Sequence, residues 1–76
     1  MINFELDNTK EGINIFVNKE GVEELIRYLN YIKEKEDHIH LLVGNELSSE
    51  VIQEGSFLVK QVKIVFLNGP SLEMVS

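Results

Sequence analysis

Two histidines one residue apart are the first residues in this chain whose types and spacing could do chemistry. His38-Ile39-His40 lies in an apolar stretch. In a strand, residues i and i+2 share a face, so both imidazoles stand side by side. Such a pair can chelate a metal when a neighbouring strand brings a third ligand. The chain has no other histidine and no cysteine, so only a carboxylate such as Asp37 or Glu5 could complete a site. Two nitrogens and an undefined acid do not make a metal motif, and no metal or cofactor is expected. The alternatives are imidazoles hydrogen-bonded on a half-buried sheet face, or imidazoles in a protein-binding surface.

Carboxylates recur at Glu46, Glu50 and Glu54. On a helix they would form an acidic row. Carboxylates become general acids only when burial or close pairing shifts them, so a solvated face or a docking surface for a basic partner is the reading. The hydroxyls of Thr9, Ser48, Ser49, Ser56 and Ser71 sit in no Gly-x-Ser-x-Gly turn and read as turn and capping residues. Gly44 and Gly55 are isolated and make no phosphate loop. No catalytic constellation is recognisable, and an enzyme is not expected. Phe16 alternates with Ile15 and Val17, which assigns it to the sheet face opposite theirs, as an exposed contact residue.

The elements that must position these residues follow from periodicity. Ile2-Asn3-Phe4-Glu5-Leu6 and Ile13, Ile15 and Val17 alternate with period two, around a polar turn at Asp7 to Gly12. They predict an antiparallel hairpin. Asn18 is a helix N-cap, and Val22, Leu25, Ile26, Leu29 and Ile32 make an apolar stripe on a helix from Lys19 to Lys35. His38 to Val43 predicts a third strand, with Ile39, Leu41 and Val43 facing one way and His38, His40 and Leu42 the other. Phe57 to Leu67 predicts a fourth, with Val62, Ile64 and Phe66 on one face. Glu46 to Gly55 is compatible with a helical turn or a short edge strand. Pro70 opens a loose tail at 71–76.

The expected architecture is α+β, a single domain over residues 1–76 in ββαββ order. One amphipathic helix covers one face of a mainly antiparallel sheet of about four strands, a two-layer sandwich. The far face, with Asn14, Phe16, His38, His40 and Leu42, is expected to be open or covered by a partner.

Composition narrows the function. The chain has 76 residues, 43% hydrophobic and 26% charged, with zero cysteines, which excludes disulfides and thiolate chemistry. Seven basic residues against thirteen acidic ones give a net charge of −6. Nucleic-acid binding rests on neutralising phosphates, so DNA and RNA are not expected partners. No apolar run has the length of a membrane span, and the first residues lack the pattern of a signal peptide, so a cytoplasmic protein without membrane contact is expected.

Three stretches carry a family resemblance. Asn18-Lys19-Glu20-Gly21-Val22-Glu23-Glu24-Leu25 resembles the polar–x–acid–Gly–apolar–x–x–Leu helix start of a small bacterial immunity-protein family, number thirty-two in the polymorphic-toxin classification. His38-Ile39-His40-Leu41 resembles that family's His-x-His-Leu strand. Glu46-Leu47-Ser48, followed by Val62-Lys63-Ile64-Val65-Phe66, is similar to its C-terminal half. The segment after the histidine strand is shorter here and lacks the family's tryptophan-containing, glycine-rich turn. The resemblance implies a cytoplasmic antitoxin that binds and occludes a cognate toxin domain, and it singles out His38 and His40 for testing.

The expected function is therefore an immunity protein with a basic toxin as partner. Its contact candidates are His38, His40, Glu46, Glu50, Glu54 and Phe16. The alternative is a small homodimeric structural or regulatory module, joined through sheet faces or edge strands.

Overall fold

The alternating residues at the start of the chain form a hairpin whose turn is held by one carboxylate. The structure is a computed structural model that describes residues 1–68; the expected tail at 71–76 lies outside the described residues. β1 spans Ile2–Leu6 and β2 spans Ile13–Val17, antiparallel from Ile2↔Val17 to Leu6↔Ile13. Asp7 closes the connection. Its Oδ1 accepts from the Thr9 hydroxyl at 2.6 Å, the Thr9 amide at 3.0 Å and the Glu11 amide at 3.3 Å. The Thr9 hydroxyl leads the causes that hold the Asp7 carboxyl below its ordinary value; the Gly12, Glu11 and Thr9 amides add to it, against a smaller upward push from burial.

α1 spans Lys19–Lys35, with Asn18 as its N-cap. The Asn18 Oδ1 accepts from the Gly21 amide at 2.8 Å and from the Met1 amino group at 2.7 Å. One side chain thus fastens the helix start to the start of β1. Gly21 is pressed against the same place, since a Cβ there would stand 2.0 Å from the Met1 carbonyl oxygen. This contact decides how the helix is rolled. Gly21 and Ile32 are buried, and Leu25 and Tyr28 pack on the core. Val22, Ile26 and Leu29 were expected to face inward. They lie about one residue step, roughly 100°, around the helix from that line. All three are exposed. Only one line of the apolar stripe is buried, and the residue with no side chain takes the closest approach.

β3 spans His38–Leu42, β4 spans Phe57–Leu58 and β5 spans Gln61–Val65. β3 pairs antiparallel with β5, from His38↔Val65 to Leu42↔Gln61. Two antiparallel sheets result, ordered β2-β1-β4 and β3-β5, where the sequence predicts one sheet. The reason lies in the stretch read as one strand. The Val59 amide donates to the Phe4 carbonyl at 2.9 Å, and the Val43 amide donates to the Lys60 carbonyl at 3.0 Å. The chain therefore leaves β1 for β3 between adjacent residues. Val59 and Val62 both pack on the core, three positions apart, so the period-two alternation slips by one at Lys60-Gln61.

The result is a small α+β domain with one helix and antiparallel sheets. Ile2, Phe4, Leu41 and Leu47 form the buried centre, ringed by half-buried residues including Val17, Leu25, Ile39, Val62 and Ile64. Leu47 comes from the segment whose conformation was open. The segment is neither a helical turn nor an edge strand there. The Leu47 amide donates to the Leu42 carbonyl at 3.0 Å, and its carbonyl accepts from Gly44 at 3.1 Å, so a tight turn drops Leu47 into the core.

Candidate functional site

Asn3 and Glu5 alternate with Ile2 and Phe4, so they point to the face of β1 away from the core. That face is not open. Both side chains are fully buried, at 0% exposure. A strap formed by residues 48–56 crosses over them. The Ser48 amide donates to the Ile2 carbonyl at 2.8 Å, and the Asn3 Nδ2 donates to the Glu50 carbonyl at 2.6 Å. The Glu5 carboxylate accepts from the Ile52 amide, the Gln53 amide at 3.1 Å and the Ser56 hydroxyl. Asn14 reaches across from β2 and donates to Gln53 Oε1 at 3.1 Å. The strap turns back at Gly55, whose φ of 87° suits glycine.

Glu5 is the charge at the centre of this arrangement. Burial by itself pushes its carboxyl up. The donors from Ile52, Ser56 and Gln53 outweigh burial and hold it below the ordinary value of 4.5. An ionised carboxylate therefore ties down the backbone of a surface loop. The consequence for the surface is direct: Val51 and Ile52 stand outward, 50% and 46% exposed, between the exposed Glu50 and Glu54.

The other candidates are distributed around the domain. His38 and His40 share the outward face of β3, as their spacing predicts, with ring centroids 5.0 Å apart and edge to face. The His38 Nδ1 lies 2.9 Å from Asp37 Oδ1. Among the described residues, no three histidine or acidic side chains gather where a metal ion could be held. Glu5, one possible third ligand, is committed to the strap. Glu46, Glu50 and Glu54 do not form a row, because no helix forms between them. The Glu46 Oε1 accepts from the Leu42 amide at 3.0 Å and so closes the end of β3. Phe16 lies on the face of β2 that carries Asn14, as its alternation predicts. It is half-buried where exposure was expected.

Tyr28 is half-buried, with its hydroxyl 3.4 Å from Glu24 Oε2. Burial pushes that hydroxyl up, and the charges of Glu24 and Glu46 push it further. Sequence reasoning missed Asn3 and Glu5 as organising residues. Alternation alone marks them as solvent-facing, and their partners lie 47 to 51 residues away.

Among the described residues no pocket opens on the surface, and no helix is long and apolar enough to cross a membrane. Comparisons with protein-family models, with curated protein sequences and with solved structures give no match for this chain.

Proposed function

We propose that this domain is a cytoplasmic immunity protein that binds a cognate toxin domain and occludes it. The observation that carries the reading is the strap. A loop fastened from beneath by Glu5 and Asn3 offers an apolar tip, Val51 and Ile52, inside an acidic frame of Glu50 and Glu54. A loop already held in place loses little entropy when a partner binds it. The net charge of −6 favours a basic partner and speeds its approach. Toxins that act on nucleic acid have basic sites, and acidic side chains can occupy the places of phosphates there. His38 and His40 offer a second surface on β3. The reading also treats Phe57 to Val65 as one strand kinked at Lys60. That joins the sheets into a four-strand layer under α1 in ββαββ order, the two-layer sandwich.

The test is rescue. The tagged chain is used to capture proteins from its own cells at low salt, and each retained basic protein is expressed alone and together with this chain. The expected result is a retained protein that arrests growth alone and is silenced by co-expression. If no retained protein is toxic, the immunity reading fails.

A further inference from the structure

The outer edge of β2 is unguarded. The Ile2 and Phe4 carbonyls accept from Ser48 and Val59, on the side of β1 away from β2. Alternation then turns the backbone groups of Asn3 and Glu5 toward β2. Their register partners, Phe16 and Asn14, face back. Ile13, Ile15 and Val17 therefore aim their N–H and C=O groups outward, and none of these groups has a backbone partner among the described residues. Sheet edges are usually blunted by a charge, a proline or a bulge. Ile13-Asn14-Ile15-Phe16-Val17 has none of the three. The outer edge of β3 is closed at its Leu42 end, while His38 and His40 turn their backbone groups outward beside exposed polar rings. Its Leu42 amide is taken by Glu46, and its Leu42 carbonyl accepts from Asn45 and Leu47.

Side chains reinforce this edge. Ile13 and Ile15 are 60% and 52% exposed on the helix side of the sheet. The exposed helix flank of Val22, Ile26 and Leu29 lies on the same side.

We propose that β2 pairs antiparallel with β2 of a second copy, about a twofold axis through Ile15. Ile15 then meets Ile15, and Ile13 meets Val17 at either end, so the ladder uses only the outward-facing groups. Charge selects this register. Glu11 precedes the strand and Lys19 follows it, and the rotation brings Glu11 of one copy to Lys19 of the other at both ends. Lys10 takes no part, because its ammonium lies 5.4 Å over the Phe57 ring. A parallel pairing would set Glu11 against Glu11, in chains that already carry −6 each. The exposed Ile13 and Ile15 of both copies then stand side by side on the helix face of the joined sheet.

Sedimentation velocity of the full chain across the micromolar range tests this. The wild-type chain is expected to sediment as a dimer. Ile15→Lys sets like charges opposite each other on the axis and is expected to give a folded monomer, with an unchanged circular dichroism spectrum. Glu11→Lys and Lys19→Glu are each expected to weaken the dimer about threefold or more, and the double swap to restore it, as exposed cross-strand ion pairs do. Val65→Lys, on the outward face of β5, is expected to remain dimeric. A wild-type monomer at every concentration overturns the proposal. A dimer that survives Ile15→Lys, or a double swap that fails to restore it, overturns this edge and register.

Discussion

Glu5 carries an ionised carboxylate at 0% exposure, which is costly unless donors surround it. Here the donors are two strap amides and the Ser56 hydroxyl. This makes the strap sensitive to acid in a definite direction. The folded carboxyl titrates below its ordinary value of 4.5, so its contribution is complete above that value and is lost as pH falls through the lower folded value. Asp7, also lowered, acts in the same sense. Urea midpoints measured at falling pH should decline below pH 4.5, and Glu5→Gln should flatten part of that decline. The glutamine should also lower the midpoint at neutral pH, because its amide group places a donor against donors. An unchanged acid slope in Glu5→Gln would remove Glu5 from this role. The buried Asn3 has a different balance: its Nδ2 is bonded to the Glu50 carbonyl, while its Oδ1 has no partner among the described residues.

At the scale of elements, the most legible piece was α1. Asn18, the acidic first turn and the apolar spacing set its ends at Lys19 and Lys35, where they are found. Its roll was not legible, because the stripe was broad and only contact with β1 selects one line of it. Gly21 enforces that contact. On an isolated helix Gly21→Ala would be worth about 1 kcal/mol of added stability. Against the Met1 carbonyl it should instead destabilise the domain by about 2 kcal/mol, the cost of overpacking. In a domain of this size that lowers the melting temperature by about 10 °C, readable by circular dichroism. A gain in stability would mean that β1 and the helix start are not in close contact. The hairpin and the outward histidines of β3 were also legible, since period-two alternation assigns faces without knowledge of partners. The partner switch at Lys60 was not, although the adjacent polar pair Lys60-Gln61 marks the slip in alternation.

For the whole molecule, charge and topology act together. Thirteen acidic residues on 76 produce a long-range field, and the strap places two of them beside an apolar tip. Reversing Glu50 and Glu54 to lysine should slow association with a basic partner about tenfold at low salt and much less at high salt, measured by stopped flow. An unchanged rate would place the docking surface elsewhere. What the sequence by itself determined is whatever depends on neighbours along the chain: hairpin, helix, strand faces, net charge and the absence of thiol chemistry. Tertiary structure decided what depends on distant residues. It rolled the helix onto Gly21, moved one strand between two sheets, and laid residues 48–56 over Asn3 and Glu5. The physical reason is that a polar residue alternating in a strand is equally suited to water and to a buried hydrogen bond, and only the arrival of a distant donor separates the two.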